Sequence, residues 1–242
     1  DANDFDRCVT GNMTPRLAYT MSYPTVEPGL NQWVWDMRRE GLTCIDDIRL
    51  FAGFSGATVT PGQYSVSVSL GDHSDTSDFT LSPDPRVEAS PVDYAFLDTK
   101  RSETADMLNE LLTALDNARR ARTRIEALVR DNGDSTVLSD LSSAAIIKIN
   151  AWENRVTQTG YKTYEDEDSM PPMLDVHIRH VFDVIDRAGA PISEGSLQRL
   201  SDLKAQWMAA RAALSDITQR ELAAINQWAA MNDVAHVLAP LK

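Results

Sequence analysis

Apolar side chains recur at every second position from Tyr64 through Val66 and Val68 to Leu70, with Ser65, Ser67 and Ser69 between them. That is the period of a strand with one face turned to a core. Pro61-Gly62 upstream and Gly71-Asp72 downstream supply turns, and Phe79 with Leu81 reads as the returning strand of a hairpin. Further upstream, Pro28-Gly29 introduces a stretch over 30–37 in which Trp33, Trp35 and Met37 share a face, and Leu17, Tyr19 and Met21 also alternate. Three or four strands are fewer than the about seven of a closed β-sandwich. The missing ones are expected upstream of Asp1 or from another chain, because an open sheet with a bare apolar edge invites aggregation.

Beyond Pro83-Asp84-Pro85 the period changes to that of a helix. Ser90-Pro91 reads as a cap followed by a first-turn proline, and Leu97, Leu108, Leu111, Leu115, Ile125 and Leu128 trace one stripe until Asp131-Asn132-Gly133-Asp134 stops it. A second helix is predicted from about Thr136 to Thr157, with Leu138, Leu141, Ala145, Ile149, Trp152 and Val156 inward. A third is predicted to start at Pro171-Pro172 and to carry Leu174, Ile178, Val181, Phe182 and Ile185 as far as Gly189-Ala190-Pro191. The fourth, capped by Ser193, places Leu197, Leu200, Leu203, Trp207, Leu214, Ile217, Leu222, Ile225 and Trp228 at steps of three and four. Four such helices with short or moderate loops predict an antiparallel bundle. The fold class expected is therefore α+β, with a β domain over 1–83 and a helical domain over 84–242.

Composition sharpens this division. Seven of the eleven glycines precede residue 84, and the two prolines around Asp84 make a stiff extended connector. The formal charge of −13 argues against gripping nucleic acid, and residues 84–242 alone hold 25 acidic against 18 basic side chains, leaving −7. The basic cluster of Arg119, Arg120, Arg122, Arg124 and Arg130 is therefore expected to meet acids on neighbouring helices and the negative end of its own helix. No stretch approaches the roughly 18 apolar residues of a membrane span. The opening Asp1-Ala2-Asn3-Asp4 has neither the basic start nor the apolar run of a signal peptide.

Chemistry has few footholds. Cys8 and Cys44 are either bridged, as an extracytoplasmic protein allows, or two separate thiols, and no Cys-x-x-Cys spacing exists. His177 and His180, with Asp183 three residues on, could offer a metal one helical face, or lie on a solvated one. Glu165-Asp166-Glu167-Asp168 groups four carboxylates but lacks the alternation and central glycine of a calcium loop. His73 and His236 stand alone. Gly53-Phe54-Ser55-Gly56 misses the spacing of a nucleophile elbow, and no phosphate-cradling or dinucleotide fingerprint occurs. Paired carboxylates for glycoside hydrolysis are not singled out from 36 acids. Exposed Trp33 or Trp35 would make a stacking platform for carbohydrate, whereas their alternation favours a core role. The residues thus assign no catalytic, cofactor or metal site.

Four pieces in order, Pro28 to Arg38 (PGLNQWVWDMR), Leu50 to Phe54 (LFAGF), Val59 to Tyr64 (VTPGQY) and Pro83 to Arg86 (PDPR), resemble one family. It is the region after the propeller in large bacterial secreted proteins built from BNR/Asp-box repeats, sortilin-like and often labelled glycosyl hydrolases. The resemblance runs on through Gln158, Pro171-Pro172-Met173-Leu174 and Glu221 to Asn226. It implies a partial Ig-like antiparallel β-sandwich followed by the helical bundle, and a location outside the cytoplasm, periplasmic or secreted. It also implies that this chain is the C-terminal piece of a longer protein. The chain has no Asp-box of the type Ser-x-Asp-x-Gly-x-x-x-Trp, its first sandwich strands are absent, and 1–27 match poorly, so no catalytic residue carries over. The expected function is a non-catalytic accessory or interaction module. Its partners would be the upstream propeller of the same protein or another envelope protein. The alternative is a share in a glycoside hydrolase's carbohydrate site.

Overall fold

The computed structural model describes residues 27–45, 48–50, 53–162 and 165–234, with the side chain of Glu167 left aside. The alternating Leu17, Tyr19 and Met21, together with Cys8 and His236, lie outside them. Within this range the chain is a mixed α and β structure, mostly helical, with one two-stranded antiparallel sheet.

The predicted hairpin forms as strands β1 (Gly62–Leu70) and β2 (His73–Leu81), in continuous register from Gly62 opposite Leu81 to Leu70 opposite His73. Gly71 makes the tight turn in the left-handed region (φ 58°). One face holds a ladder of polar pairs. Ser65 donates to Asp78, Ser67 and Thr76 share a hydrogen bond, Ser69 donates to Ser74 and Thr80 to Gln63.

The other face departs from expectation. Only its base is packed, where Trp35 meets Tyr64 (ring centroids 5.6 Å) and Phe79 (6.2 Å, edge-on), and Tyr64 stacks on Phe79 at 5.8 Å. Val68 and Leu70 are each 66% exposed, and no helix packs against the hairpin. Alternation shows which side chains share a face, and here no element among the described residues covers it. The stretch 30–37 is not a regular strand either. It runs irregularly to Met37, whose left-handed backbone (φ 58°) redirects the chain into an isolated bridge between Arg38 and Thr58.

The helical period fares better. Helix α1 spans Pro91–Asp131, opened by Ser90 in a reciprocal capping box with Asp93. Helix α2 is Thr136–Val156, capped by the hydroxyl of Ser135. A single turn α3, Asp166–Ser169, precedes α4, Leu174–Ala188. Helix α4 starts just after Pro171-Pro172 rather than at them, and ends at Gly189 (φ 72°). Helix α5, Glu194–Ile217, is capped by Ser193 and continues through a π-helical turn, Thr218–Leu222, into α6, Ala223–Met231. The stripe expected at steps of three and four is broken here, because Ile217 and Leu222 are five residues apart, a spacing that the π-helical turn accommodates.

Helix α1 packs on α2 and α4, α5 packs on α4 and α2, and the π-turn and α6 lie against α2. Leu108, Leu111, Leu115, Ile125, Ile149, Ile178, Ile185, Leu203 and Ile225 are sealed between them. Trp152 donates its indole N–H to the Ala210 carbonyl at 2.8 Å, which satisfies the polar end of a buried aromatic. Leu42, Ile48, Leu50 and Ala57 belong to the same core.

Candidate functional site

Three places concentrate chemistry. The first joins residues 38–58 to the helices and centres on Asp186, whose side chain is 4% exposed. Its carboxylate accepts from the Thr58 amide (2.9 Å) and hydroxyl (3.0 Å) and from Arg38 (3.1 Å), and forms an ion pair with Arg101 Nε at 2.9 Å. Arg101 donates further to the carbonyls of Thr58 and Asp186 (3.0 and 2.8 Å). Beside it, Arg179 donates to the Gly53 carbonyl at 2.7 Å and lies over the Phe182 ring. Burial lowers the affinity of both guanidiniums for their proton, Arg179 to about 10, against the pull of nearby carboxylates. Gly56 permits the close crossing underneath, since a Cβ there would lie 2.1 Å from the Glu40 carbonyl oxygen. These bonds join residues 38–58 to α1 and α4.

The second is a polar cleft of about 590 Å³ between α1 and α2, lined by Arg119, Arg122, Asn150, Glu153, Asn154, Gln158, Thr159 and Tyr161. Glu153 is the acid that the basic cluster was expected to meet. Its two oxygens take Arg119 at 2.7 Å and Arg122 at 2.6 Å. Arg120 pairs instead with Asp116 one turn back (2.8 Å). Asn150 accepts from Arg122, Thr159 donates to Asn154, and Gln158 bridges Gly160 and Pro171. With both its oxygens held by guanidiniums, Glu153 is poorly placed to relay protons to a bound molecule.

Nearby, Asp175 on α4 is 1% exposed, and burial pushes its carboxyl up to about 6 despite hydrogen bonds from Thr157 and the Val176 amide. One of its oxygens has no hydrogen-bond partner. No signal in the sequence singles it out. Sealed from solvent and absent from the cleft lining, it bears on stability rather than on a reacting group.

The third is the surface formed by 30–37 and the hairpin, on which several large apolar side chains are exposed. Leu30 (98% exposed), Val34 and half-exposed Trp33 lead to Trp35, beyond which Val66, Val68 and Leu70 run out to the tip. Trp35 is thus a partly buried packing residue, its indole N–H donating to the Arg38 carbonyl at 3.0 Å, while Trp33 is not in the core position that alternation favoured.

The remaining sequence candidates do not converge. His180 is exposed, and His177, half-buried, is disfavoured in its protonated form by desolvation and by Arg199 and His180. Asp183 is held by Arg187 at 2.9 Å. In the acidic run, Asp166 accepts from the Lys162 amide at 2.6 Å. Among the described residues no three His, Cys, Asp or Glu side chains gather to hold a metal ion. His73 opens β2 opposite Leu70. Cys44 is disulfide-bonded, and the chain's one other cysteine is Cys8. No helix among the described residues is long and apolar enough to cross a membrane.

Compared with family models, with curated proteins and with solved structures, the chain matches none.

Proposed function

We propose that this chain is a non-catalytic accessory module that docks through its β part and is carried by its helices. In this reading the β part is an incomplete Ig-like sandwich over 1–83, and 84–242 form an antiparallel four-helix bundle. The whole is the C-terminal portion of a secreted or periplasmic BNR-repeat, sortilin-like protein, and its first partner is the upstream propeller.

The observation that carries the reading is the exposure of Val66, Val68 and Leu70 on a hairpin against which no helix among the described residues packs, with Val34 and Leu30 exposed upstream of it. Exposed apolar side chains grouped on one strand face, as Val66, Val68 and Leu70 are, mark interaction sites. The Asp186 cluster adds to the case, because it ties the base of the hairpin to α1 and α4, so that a partner on the surface is presented by a stiff support.

The test is capture of the upstream part of the natural polypeptide by this chain, beside its Val68→Lys variant. Capture weakened at least tenfold by the substitution is the expected result. Failure to capture, or capture indifferent to Val68→Lys, overturns the reading.

A further inference from the structure

The docking surface carries charge of one sign. Between residues 27–37 and 62–81 stand Glu27, Asp36, Asp72, Asp75 and Asp78, and no lysine or arginine. Asp75 shares the face of Val66, Val68 and Phe79, opposite Val68, while Asp78 lies on the polar face opposite Ser65. Within the described residues no backbone hydrogen bond joins 62–81 to anything outside the hairpin, so among them β2 has an open edge. The Thr76 amide on that edge is met by the carboxylate of its own neighbour Asp75, at 2.9 Å. Natural sheets commonly blunt such edges with lysine. Here the edge is acidic, which leaves room for a cation from elsewhere.

We propose that the edge of β2 accepts an extended polypeptide strand whose side chains alternate between apolar and basic. The strand's backbone takes up the outward groups of β2. Its apolar side chains extend the Phe79 and Val68 face, and its basic ones pair with Asp78 across the strands and with Asp72 at the turn. A second copy of this chain would bring five acids against five, so like charge disfavours self-pairing through this face. The inference deepens the module reading and rests on it by naming the chemistry of the partner.

The test uses the full chain and a nine-residue blocked peptide of alternating Lys and Val, beside its Glu and Val counterpart. Amide exchange of 73–81 and tryptophan fluorescence are read in low salt and in 0.5 M salt, taken as roughly a Debye length of a few ångströms. The expected result is protection of 73–81 by the Lys peptide, at least tenfold weaker binding of the Glu peptide, and loss in high salt. An Asp72→Asn, Asp78→Asn double variant should weaken the Lys peptide at least tenfold, with the cross-strand Tyr64 and Phe79 contact checking that its hairpin persists. Equal binding of both peptides, no protection, or a dimer in sedimentation that Val68→Lys disperses would each overturn it. Such a failure beside successful capture of the upstream polypeptide removes the basic strand alone, whereas failed capture removes the module itself.

Discussion

At Asp175 the fold tolerates a charge it has little use for. Its carboxyl binds a proton up to about 6 in the folded chain against an ordinary 3.8, so the native state takes up the proton more readily than the unfolded one. The sign follows: this group lowers stability above about pH 6, and that penalty fades as pH falls toward the unfolded value. Asp175→Asn is expected to raise stability at pH 7.5 by at most about 3 kcal/mol, a gain that vanishes near pH 4. Urea midpoints at the two pH values check it. Asp186 is the opposite case. Removing its carboxylate in Asp186→Ala strands Arg101 in a buried place and is expected to cost about 3–5 kcal/mol, measurable in the same titrations. Gly56→Ala forces a methyl group into the Glu40 carbonyl and should cost about 3 kcal/mol, seen as a lowered thermal midpoint.

At the scale of elements, the helices were open to reading because each announces itself locally. Ser90 and Ser193 cap where the sequence places them, and the apolar stripes run over many turns. The hairpin's pairing was equally legible from alternation and the Gly71-Asp72 turn. Its bareness was not, because a strand's own period carries no information about what lies over it. The Asp186 cluster was hidden for another reason: Thr58, Arg101 and Asp186 are brought together across separations of 43 to 148 residues with Arg38, and none belongs to a motif. Since among the described residues the hairpin leans on Trp35 and on no helix, changes near its tip should leave the helices alone. Val68→Lys is expected to leave the stability of the helices within about 0.5 kcal/mol of the parent, as followed by circular dichroism at the helical band.

Over the whole molecule, stability is unevenly shared. The sealed side chains lie between α1, α2, α4 and α5, with residues 42–57 lending a few more, whereas the hairpin has little beyond its own cross-strand bonds and three aromatic rings. An isolated two-stranded hairpin is marginal in water. Native-state hydrogen exchange should therefore show amides of 104–128 and 200–214 opening only with global unfolding and those of 65–78 exchanging far sooner. Uniform protection across both would mean that the hairpin is supported by more than Trp35. The Asp186 cluster also has a mechanical meaning. A pull on β2 passes through 82–90 straight to the start of α1, whereas a pull on β1 passes back along the chain to Thr58, where it meets bonds from Thr58, Arg38 and Arg101 converging on one carboxylate. Loaded side by side, those bonds share the strain instead of parting in turn. On the β1 side the joint would hold while the arm beyond it unzips, so tension entering there ends at the root of the hairpin.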